Sequence, residues 1–204
     1  MGNREDLLAG AKRCLYEKGY ARTTARDISA AAGTSLASIG YHFRSTEALL
    51  NAALFEVIGE WGDELQRALR AVGEGDLGTV ERFERYWRRV IESFATHRQI
   101  WAATFEVFAQ IERVPVMRQA IADGLQEGRF AWASLLQGID ASADEEKAQA
   151  VGSFYQALLS GVLVQWLVDP DRAPSAEALA SALRTIISNA GPVDAEASAS
   201  ARWP

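Results

Sequence analysis

The chain has 204 residues, of which 49% are hydrophobic and 24% are charged, and it contains one cysteine. This balance is typical of a globular protein, and a lone cysteine excludes an internal disulfide framework. The most apolar run, residues 157–168, spans twelve residues, whereas a membrane-spanning helix needs about 20. Because the N-terminus also lacks the apolar segment of a signal peptide, we expect a cytoplasmic protein with no membrane partner.

The net charge of −6 is unevenly distributed. Residues 1–50 contain seven Lys or Arg against five acidic residues, whereas residues 51–204 contain 14 basic and 22 acidic residues. A mildly basic head on an acidic body suits a protein that contacts a polyanion at one end only.

The first part of the basic head predicts two helices. Apolar residues recur at helical spacing over residues 5–18, and Gly19 closes that helix. Thr24 and Asp27 then form a capping box, which begins a short alanine-rich helix that ends at Gly33.

The next stretch, GTSLASIGYHF at residues 33–43, is short and rich in small side chains. Gly33 permits the left-handed backbone of a tight turn, so residues 25–43 predict a helix, a turn and a second helix. Ile28 and Ile39 are the apolar residues that can hold the two helices together. The outer side of the second helix is then small enough for its backbone to approach the floor of a DNA major groove, which is about 12 Å wide.

A family resemblance supports this interpretation. The segment TTARDISAAAGTSLASIGYHFRSTEALL resembles the N-terminal motif of the TetR family of transcriptional regulators, T-T-x-x-x-I-A-x-x-A-G-V-S-x-x-x-(I/L)-Y-x-H-F-x-(S/N)-K-x-x-L. The resemblance extends over residues 5–50. It implies a DNA-binding head of three helices on a larger helical body that binds a ligand and forms dimers.

Two positions depart from the family pattern. Gly40 stands where the family usually has a tyrosine, so Tyr41 and His42 are expected to supply more of the aromatic contact. Thr46 stands where the family usually has a lysine near the start of the fourth helix, and Arg44 can compensate for that missing charge. We expect a weaker salt dependence, since each phosphate contact contributes a slope of about 0.9.

DNA contacts are therefore expected from the turn before the first short helix, from the outer side of the second, and from the start of the fourth helix. Thr23 and Thr24 have an alternative role, because a hydroxyl before a helix can cap that helix instead of binding a phosphate. The expected DNA-contacting residues are Thr23, Thr24, Ser35, Leu36, Ala37, Ser38, Tyr41, His42, Arg44 and Thr46.

The rest of the chain predicts further helices, over residues 46–72, 80–96, 98–112, 115–137, 144–168 and 175–189. The residues at the C-terminus are small, polar and poor in core-forming side chains, which predicts a disordered tail. The expected organisation is an all-α chain with a helix-turn-helix DNA-binding domain at 1–50, an effector-binding and dimerisation domain at 51–190 and a tail at 191–204.

Aromatic residues recur at helical spacing through the body. Most are expected to form the core of a helical bundle, but a subset can line a cavity for a hydrophobic or aromatic effector. The candidate effector-binding residues are Trp87, Phe94, Trp101, Phe105, Phe108, Trp132 and Tyr155.

Residues 151–168 carry apolar stripes on two sides, so this helix is expected to be buried on both. One side can pack on its own bundle. The other predicts a partner chain or, alternatively, a monomer with a fully buried central helix. The candidate residues of the dimer interface are Tyr155, Leu158, Val162, Trp166, Leu179, Leu183 and Ile186.

Other functions have less support. An enzyme is disfavoured because His42, His97 and Cys14 form no recognisable catalytic or metal-binding pattern, and no cofactor or metal is expected. A helical protein–protein interaction module would leave the small outer face of the second short helix unexplained. The sequence therefore predicts a homodimeric transcriptional repressor that binds palindromic double-stranded DNA and is released by a small-molecule effector. An effector-independent regulator or activator is the alternative.

Overall fold

The computed structural model describes residues 4–72, 78–109 and 115–190. Within these ranges the regular secondary structure is entirely helical, which confirms the expected all-α class. The helices are α1 (Arg4–Lys18), α2 (Ala25–Ala32), α3 (Leu36–Phe43), α4 (Thr46–Val72), α5 (Thr79–Thr96), α6 (Arg98–Phe108), α7 (Pro115–Gln137), α8 (Glu145–Val168) and α9 (Ala176–Asn189). The expected tail at 191–204, and residues 110–112 of the expected helix at 98–112, lie outside the described residues.

Polar caps fix where the later helices begin. At the start of α8 the Asp144 carboxylate accepts a hydrogen bond from the Lys147 N–H at 3.0 Å. At the start of α9 the Ser175 hydroxyl accepts one from the Ala178 N–H at 3.2 Å. Each cap satisfies a main-chain donor that has no partner within its own helix, so these loops specify the helix boundaries locally.

The head is built from α1, α2, α3 and the first half of α4, which enclose one hydrophobic core. Leu7 and Leu15 of α1, Ile28 of α2 and Leu49 of α4 are fully buried in it. Cys14 is buried in the same core, and burial raises the pKa of its thiol. This cysteine is therefore a core side chain, as its place on the apolar side of α1 indicates.

The helices α1 and α2 approach each other closely at Gly10. A Cβ atom added to Gly10 would lie 2.9 Å from the Cβ and from the main-chain nitrogen of Ala32. Because nonbonded atoms do not approach so closely, only glycine fits this crossing, and the small side chains of α2 serve its contact with α1.

The sixth helix contributes to two cores. Ile100 and Val107 of α6 lie in the core of the head, whereas Trp101 lies in the core of the body. At the start of α6 the ring of His97 lies 6.0 Å from that of Tyr16 on α1, centroid to centroid. The head and the body are therefore joined by packed side chains as well as by the chain itself.

The fourth helix runs without a break through the expected domain boundary at residue 50. Its first half, as far as Val57, faces the core of the head, and Trp61, Leu65 and Leu69 face the core of the body. The boundary at residue 50 stays a prediction, because the packing of α4 does not change there.

The body consists of α5 to α9 together with the second half of α4. The helices α7 and α8 cross at Gly152, where an added Cβ would lie 2.1 Å from the carbonyl oxygen of Arg129. The last helix, α9, packs on α5, and an ion pair of 2.5 Å joins Glu177 of α9 to Arg88 of α5.

By length and composition alone, α8 is apolar enough to cross a membrane. Its inner side nevertheless packs within the protein, since Tyr155, Leu159 and Val162 are buried in the core of the body. Packing in the bundle accounts for the apolar side chains on that side of the helix.

Candidate nucleic-acid interface and aromatic core

The helices α2 and α3 form a helix-turn-helix. Gly33 ends α2 in the left-handed conformation, with φ of 64° and ψ of 32°. Ile28 and Ile39 are 0% and 3% exposed in the same core, which confirms that these two residues hold the helices together. Phe43 is also buried at the end of α3, and the guanidinium of Arg4 lies 5.1 Å from the centroid of its ring.

A capping box fixes the start of α2 and is also tied to α1. The Thr24 hydroxyl donates to a carboxylate oxygen of Asp27 at 2.6 Å, and the Thr24 N–H donates to the same oxygen at 2.9 Å. The Lys18 ammonium of α1 donates to the other oxygen at 2.5 Å. The hydrogen bond from Lys18, followed by those from Thr24, holds the pKa of the Asp27 carboxyl well below its ordinary value.

Acid is expected to weaken the hydrogen bonds of the Asp27 carboxylate with Thr24 and Lys18. Because the folded-state pKa of Asp27 lies below the ordinary 3.8, its carboxylate stabilises the fold fully above that pH. The contribution is lost as the pH falls from there through the folded-state pKa. We expect Asp27→Asn to lower the urea midpoint at neutral pH, and its difference from the wild type to shrink in strong acid. The urea midpoint of Lys18→Gln should likewise approach that of the wild type in strong acid. A difference in midpoint between variant and wild type that persists at all pH values would contradict the prediction.

The outer side of α3 carries small and apolar side chains. Tyr41 is 85% exposed on this side, and Leu36 is 50% exposed at its N-terminal end. Ala37 is exposed beside them, and the hydroxyls of Ser35 and Ser38 are 3.0 Å apart, within hydrogen-bond distance. These five of the expected DNA-contacting residues form one surface, here named the recognition surface.

The two threonines before α2 have different environments. Thr23 is buried, and its hydroxyl donates to the Gly19 carbonyl at 2.7 Å. Since a buried side chain cannot reach a phosphate of a docked duplex, the expected DNA contact of Thr23 is corrected to a structural role in the turn after α1. Thr24 is exposed and caps α2, so the capping role is confirmed while its DNA contact stays a prediction.

The remaining expected contacts surround the end of α3. The rings of Tyr41 and His42 meet edge to face with centroids 4.9 Å apart. Arg44 is exposed and has a φ of 69°, a conformation that glycine favours, in the turn before α4. Thr46 is half-buried in the first turn of α4, which the hydroxyl of Ser45 caps by accepting a main-chain hydrogen bond at 3.0 Å. The roles of His42, Arg44 and Thr46 in binding DNA stay predictions.

Gly40 is the weakest point of α3 as a helix. It is exposed, and no atom lies within 4 Å of the position of an added Cβ. We expect Gly40→Ala to raise the free energy of unfolding by about 0.5–1 kcal/mol, because glycine in a helix interior has more conformational freedom to lose than alanine. Urea denaturation measures the change. Gly33→Ala is the matched control and should destabilise, since Gly33 has a φ of +64°. Two changes of the same sign would contradict this account.

One positioning contact has no signal in the sequence. The Tyr20 hydroxyl donates to the side-chain oxygen of Asn51 at 2.7 Å, and Asn51 is buried in α4. Burial, followed by the negative charge of Glu47, raises the pKa of Tyr20 to about 12. This bond fastens the turn after α1 to α4, and because 31 positions separate the partners, no local pattern reveals it.

The candidate effector-binding residues come together around one aromatic core in the body. Five of the seven are buried in it, namely Trp87, Phe94, Trp101, Trp132 and Tyr155. Phe105 is half-buried against this core, and the ring of Phe108 lies 5.8 Å from that of Phe105, centroid to centroid. Trp166, which is not among the seven, also lies against this core, with its ring 5.8 Å from that of Phe94.

Hydrogen bonding distinguishes the tryptophans of this core. The indole N–H of Trp61 donates to the Ser93 hydroxyl at 3.0 Å. The indole N–H groups of Trp87 and Trp101 are buried and have no hydrogen-bond partner among the described residues. An unpaired buried donor costs about 1–3 kcal/mol. Neither cost is offset by a hydrogen bond within the described part of the chain.

The eighth helix turns a different side to solvent from the one expected of a dimer interface. Tyr155 and Val162 are 6% and 2% exposed within a single chain. Trp166 packs on Phe94, and the guanidinium of Arg98 lies 5.4 Å from the centroid of its ring. The expected interface roles of Tyr155 and Val162 are corrected to packing in the body, because both are buried in the aromatic core. Trp166 is half-buried, and its interface role stays a prediction.

The exposed side of α8 carries smaller residues at helical spacing. These residues, here named the α8 stripe, are Phe154, Ala157, Gly161, Val164 and Val168. Among the other expected interface residues, Ile186 is 65% exposed, while Leu158, Leu179 and Leu183 are half-buried against the core of the body.

The second helix of this helix-turn-helix is exposed, and the motif stands on a larger helical body. This arrangement is typical of helix-turn-helix DNA-binding proteins. Residues 7–53 match the model of the bacterial regulatory proteins of the tetR family, and residues 78–189 match that of the Tetracyclin repressor-like C-terminal domain. The chain belongs to the TetR family of bacterial transcriptional regulators, and it is a regulator rather than an enzyme.

Individual relatives support the same family. The HTH-type transcriptional regulator TtgR of Pseudomonas putida is 28% identical over 175 residues, which cover 82% of this chain and 81% of that protein. The HTH-type transcriptional repressor Rv1474c of Mycobacterium tuberculosis is 36% identical over 77 residues, 38% of either chain.

Solved structures share the fold at low identity. A transcriptional regulator from Rhodococcus sp. Rha1 aligns with a TM-score of 0.61 and 18% identity, over 92% of this chain and 95% of that one. The multidrug binding protein EbrR, solved in complex with proflavin, aligns with a TM-score of 0.60 and 21% identity, over 90% of this chain and 98% of that one.

Proposed function

We propose that the chain is a cytoplasmic homodimeric repressor that binds a palindromic operator and is released by a small hydrophobic or aromatic effector. The observation that carries DNA binding is the exposure of the recognition surface, where Tyr41 is 85% and Leu36 is 50% exposed. The buried Ile39 and Phe43 hold the helix from the other side. The exposed surface of these two large side chains takes no part in the packing of the head, which supports a role in contacting a partner.

The charges around the recognition surface support a duplex as that partner. Arg22, Arg26 and Arg44 are exposed and can neutralise phosphates, while Thr24 and Thr46 lie at helix starts. In a two-fold dimer the two copies of α3 would enter major grooves about 34–36 Å apart, one turn of DNA.

Dimerisation is supported by the α8 stripe. Phe154, Val164 and Val168 are 54%, 42% and 82% exposed. This exposure supports a partner chain over the alternative of a monomer with a fully buried central helix. Gly161 lies between these residues and permits close approach of a second helix, so we assign the interface to the α8 stripe together with Ile186 of α9.

The dimer interface can be tested with two glycine variants. Gly161 and Gly124 are exposed, and no described atom lies within 4 Å of an added Cβ at either, so a larger side chain can extend into solvent in the monomer. We expect Gly161→Glu to raise the dimer dissociation constant at least about 100-fold, because an interface would bury the new charge without a partner. Gly124→Glu, on α7, should leave it unchanged. Light scattering of the eluting protein measures the mass, and a Gly161→Glu variant that stays dimeric would exclude this interface.

The effector is proposed to bind at the aromatic core. EbrR, which shares the fold, is a multidrug binding protein solved with proflavin. The core of this chain contains two indole donors, Trp87 and Trp101, that are unpaired within the described part of the chain. Trp101 lies in the core of the body, and the adjacent Ile100 lies in the core of the head. A compound that binds better to a shifted position of α6 would therefore change the spacing of the two heads and lower the affinity for DNA.

The proposed function is tested by selecting duplexes from a randomised library with the full-length protein. We expect enrichment of one near-palindromic sequence that binds two chains, or a multiple of two, with an affinity that falls as salt rises. Enrichment of no sequence at low salt would overturn DNA-binding regulation by this chain.

The effector is tested on the selected duplex by the loss of fluorescence anisotropy as aromatic compounds, beginning with proflavin, are added. Trp87→Phe and Trp101→Phe keep a ring and remove the N–H. Release from DNA should then need about 2–10-fold more of a compound that accepts hydrogen bonds. Trp61→Phe should leave that concentration unchanged, because the N–H of Trp61 already pairs with Ser93. Equal sensitivity of all three variants would exclude a role for the indole donors.

A further inference from the structure

The recognition surface lacks the side chains that usually read base edges by paired hydrogen bonds. Residues 35–43 contain no Arg, Lys, Asn, Gln, Asp or Glu. Guanine is read mostly by Arg or Lys, adenine by Asn or Gln, and cytosine by Asp or Glu, whereas the 5-methyl group of thymine is read by apolar contact. Only thymine therefore has a chemical partner among the apolar side chains of this helix.

The polar side chains of α3 and its N-cap are paired or half-buried, except Tyr41, which is 85% exposed towards the C-terminal end of the helix. The hydroxyls of Ser35 and Ser38 lie 3.0 Å apart, so one can donate a hydrogen bond to the other. His42 is half-buried, with its ring against the ring of Tyr41. In helix-turn-helix proteins the first turn of the second helix contacts the bases. In α3 the exposed side chains of that turn are Leu36 and Ala37.

Steric access favours the same contact. Gly40 has no atom within 4 Å of an added Cβ, so the helix is open on its outer side one turn after Leu36. A helix with small side chains there can approach the groove floor, where methyl groups of thymine project.

On these grounds we infer that the operator is read chiefly through thymine 5-methyl groups, which Leu36 and Ala37 contact in each half-site. The inference rests on the proposed function, since it names the DNA that the recognition surface selects. It places the specificity in apolar contacts with one base rather than in hydrogen bonds to guanine or adenine.

Deoxyuridine provides the test, because it lacks only the 5-methyl group of thymidine and keeps the same hydrogen-bonding edge. The operator is first selected with the full-length protein, and each thymine is then replaced in turn. Loss of one buried methyl contact should raise the dissociation constant about fourfold in one half-site, and about 16-fold when both half-sites are changed.

A variant of the protein assigns the contact to a side chain. For Leu36→Ala, the ratio of the dissociation constants for the deoxyuridine and thymidine duplexes should fall from about four to about one at one thymine of the half-site. It should stay unchanged at the others. Arg44→Gln is the control. It should weaken binding to all duplexes alike and reduce the salt slope by about 1, with the ratio unchanged at every thymine.

The outcomes separate this inference from the proposed function. A selected operator in which deoxyuridine weakens binding at defined thymines supports both. A selected operator that binds equally well with every thymine replaced overturns the inference and leaves the regulator intact. Failure to select any duplex overturns both.

Discussion

Replacing Gly152 by alanine should lower the free energy of unfolding by about 2–4 kcal/mol. The added Cβ would lie 2.1 Å from the carbonyl oxygen of Arg129 and 2.5 Å from its carbonyl carbon. Both are main-chain atoms within α7, so they cannot rotate away as a side chain would. The helices α7 and α8 must separate instead, and the close packing around Tyr155 and Trp132 opens with them.

The matched control for this substitution lies on α7 itself. Gly124 is exposed, and no atom lies within 4 Å of an added Cβ. Gly124→Ala should therefore raise the free energy of unfolding by about 0.5–1 kcal/mol through helix propensity alone. Urea unfolding followed by tryptophan fluorescence measures both variants. The proposed crossing would be contradicted by a Gly152→Ala protein as stable as the wild type.

The second large effect is expected in the head, where Ile39→Ala should abolish operator binding and cost about 2–4 kcal/mol of stability. The helix α3 has eight residues, and isolated helices shorter than about 12 residues are marginal in water. Its position therefore depends on the side chains that it buries, Ile39 and Phe43. With Ile39 truncated, the recognition surface loses the support that fixes it relative to α2.

For stability alone, Leu36→Ala is the control for Ile39→Ala, because it truncates an aliphatic side chain on the same helix. Leu36 is 50% exposed against 3% for Ile39, so its truncation should change stability by less than about 0.5 kcal/mol. Urea unfolding followed by circular dichroism gives the stability, and anisotropy with the selected duplex gives the affinity. If Ile39→Ala bound the operator as tightly as the wild type, docking of α3 through this residue would be excluded.

The sequence predicts helix boundaries well where the residues that determine them lie close together in the chain. The capping box of Thr24 and Asp27 and the left-handed Gly33 each act within a few residues, and α2 begins and ends where they indicate. The two isoleucines of the helix-turn-helix were also predictable, because they are the large apolar residues that helical spacing turns inwards.

The orientation of α8 was not predictable in this way. This helix has apolar residues on two sides, and periodicity alone does not say which side faces the bundle. The choice depends on its neighbours: the contact of Gly152 with α7 and the space for rings such as Tyr155 turn one side inwards. Thr23 illustrates the same limit on a smaller scale, because its role depends on the distance to the Gly19 carbonyl.

The packing of α4 and α6 across both cores has a consequence for modularity. A fragment ending at residue 50 would lack Leu54 and Val57 of α4 and Ile100 and Val107 of α6, all buried in the core of the head. Grafting such a fragment onto a foreign body would leave apolar surface uncovered unless that body supplied equivalent side chains. The head therefore cannot be transferred to another protein as an independent domain. Its DNA specificity is better changed by replacing exposed residues of α3 than by exchanging the whole head.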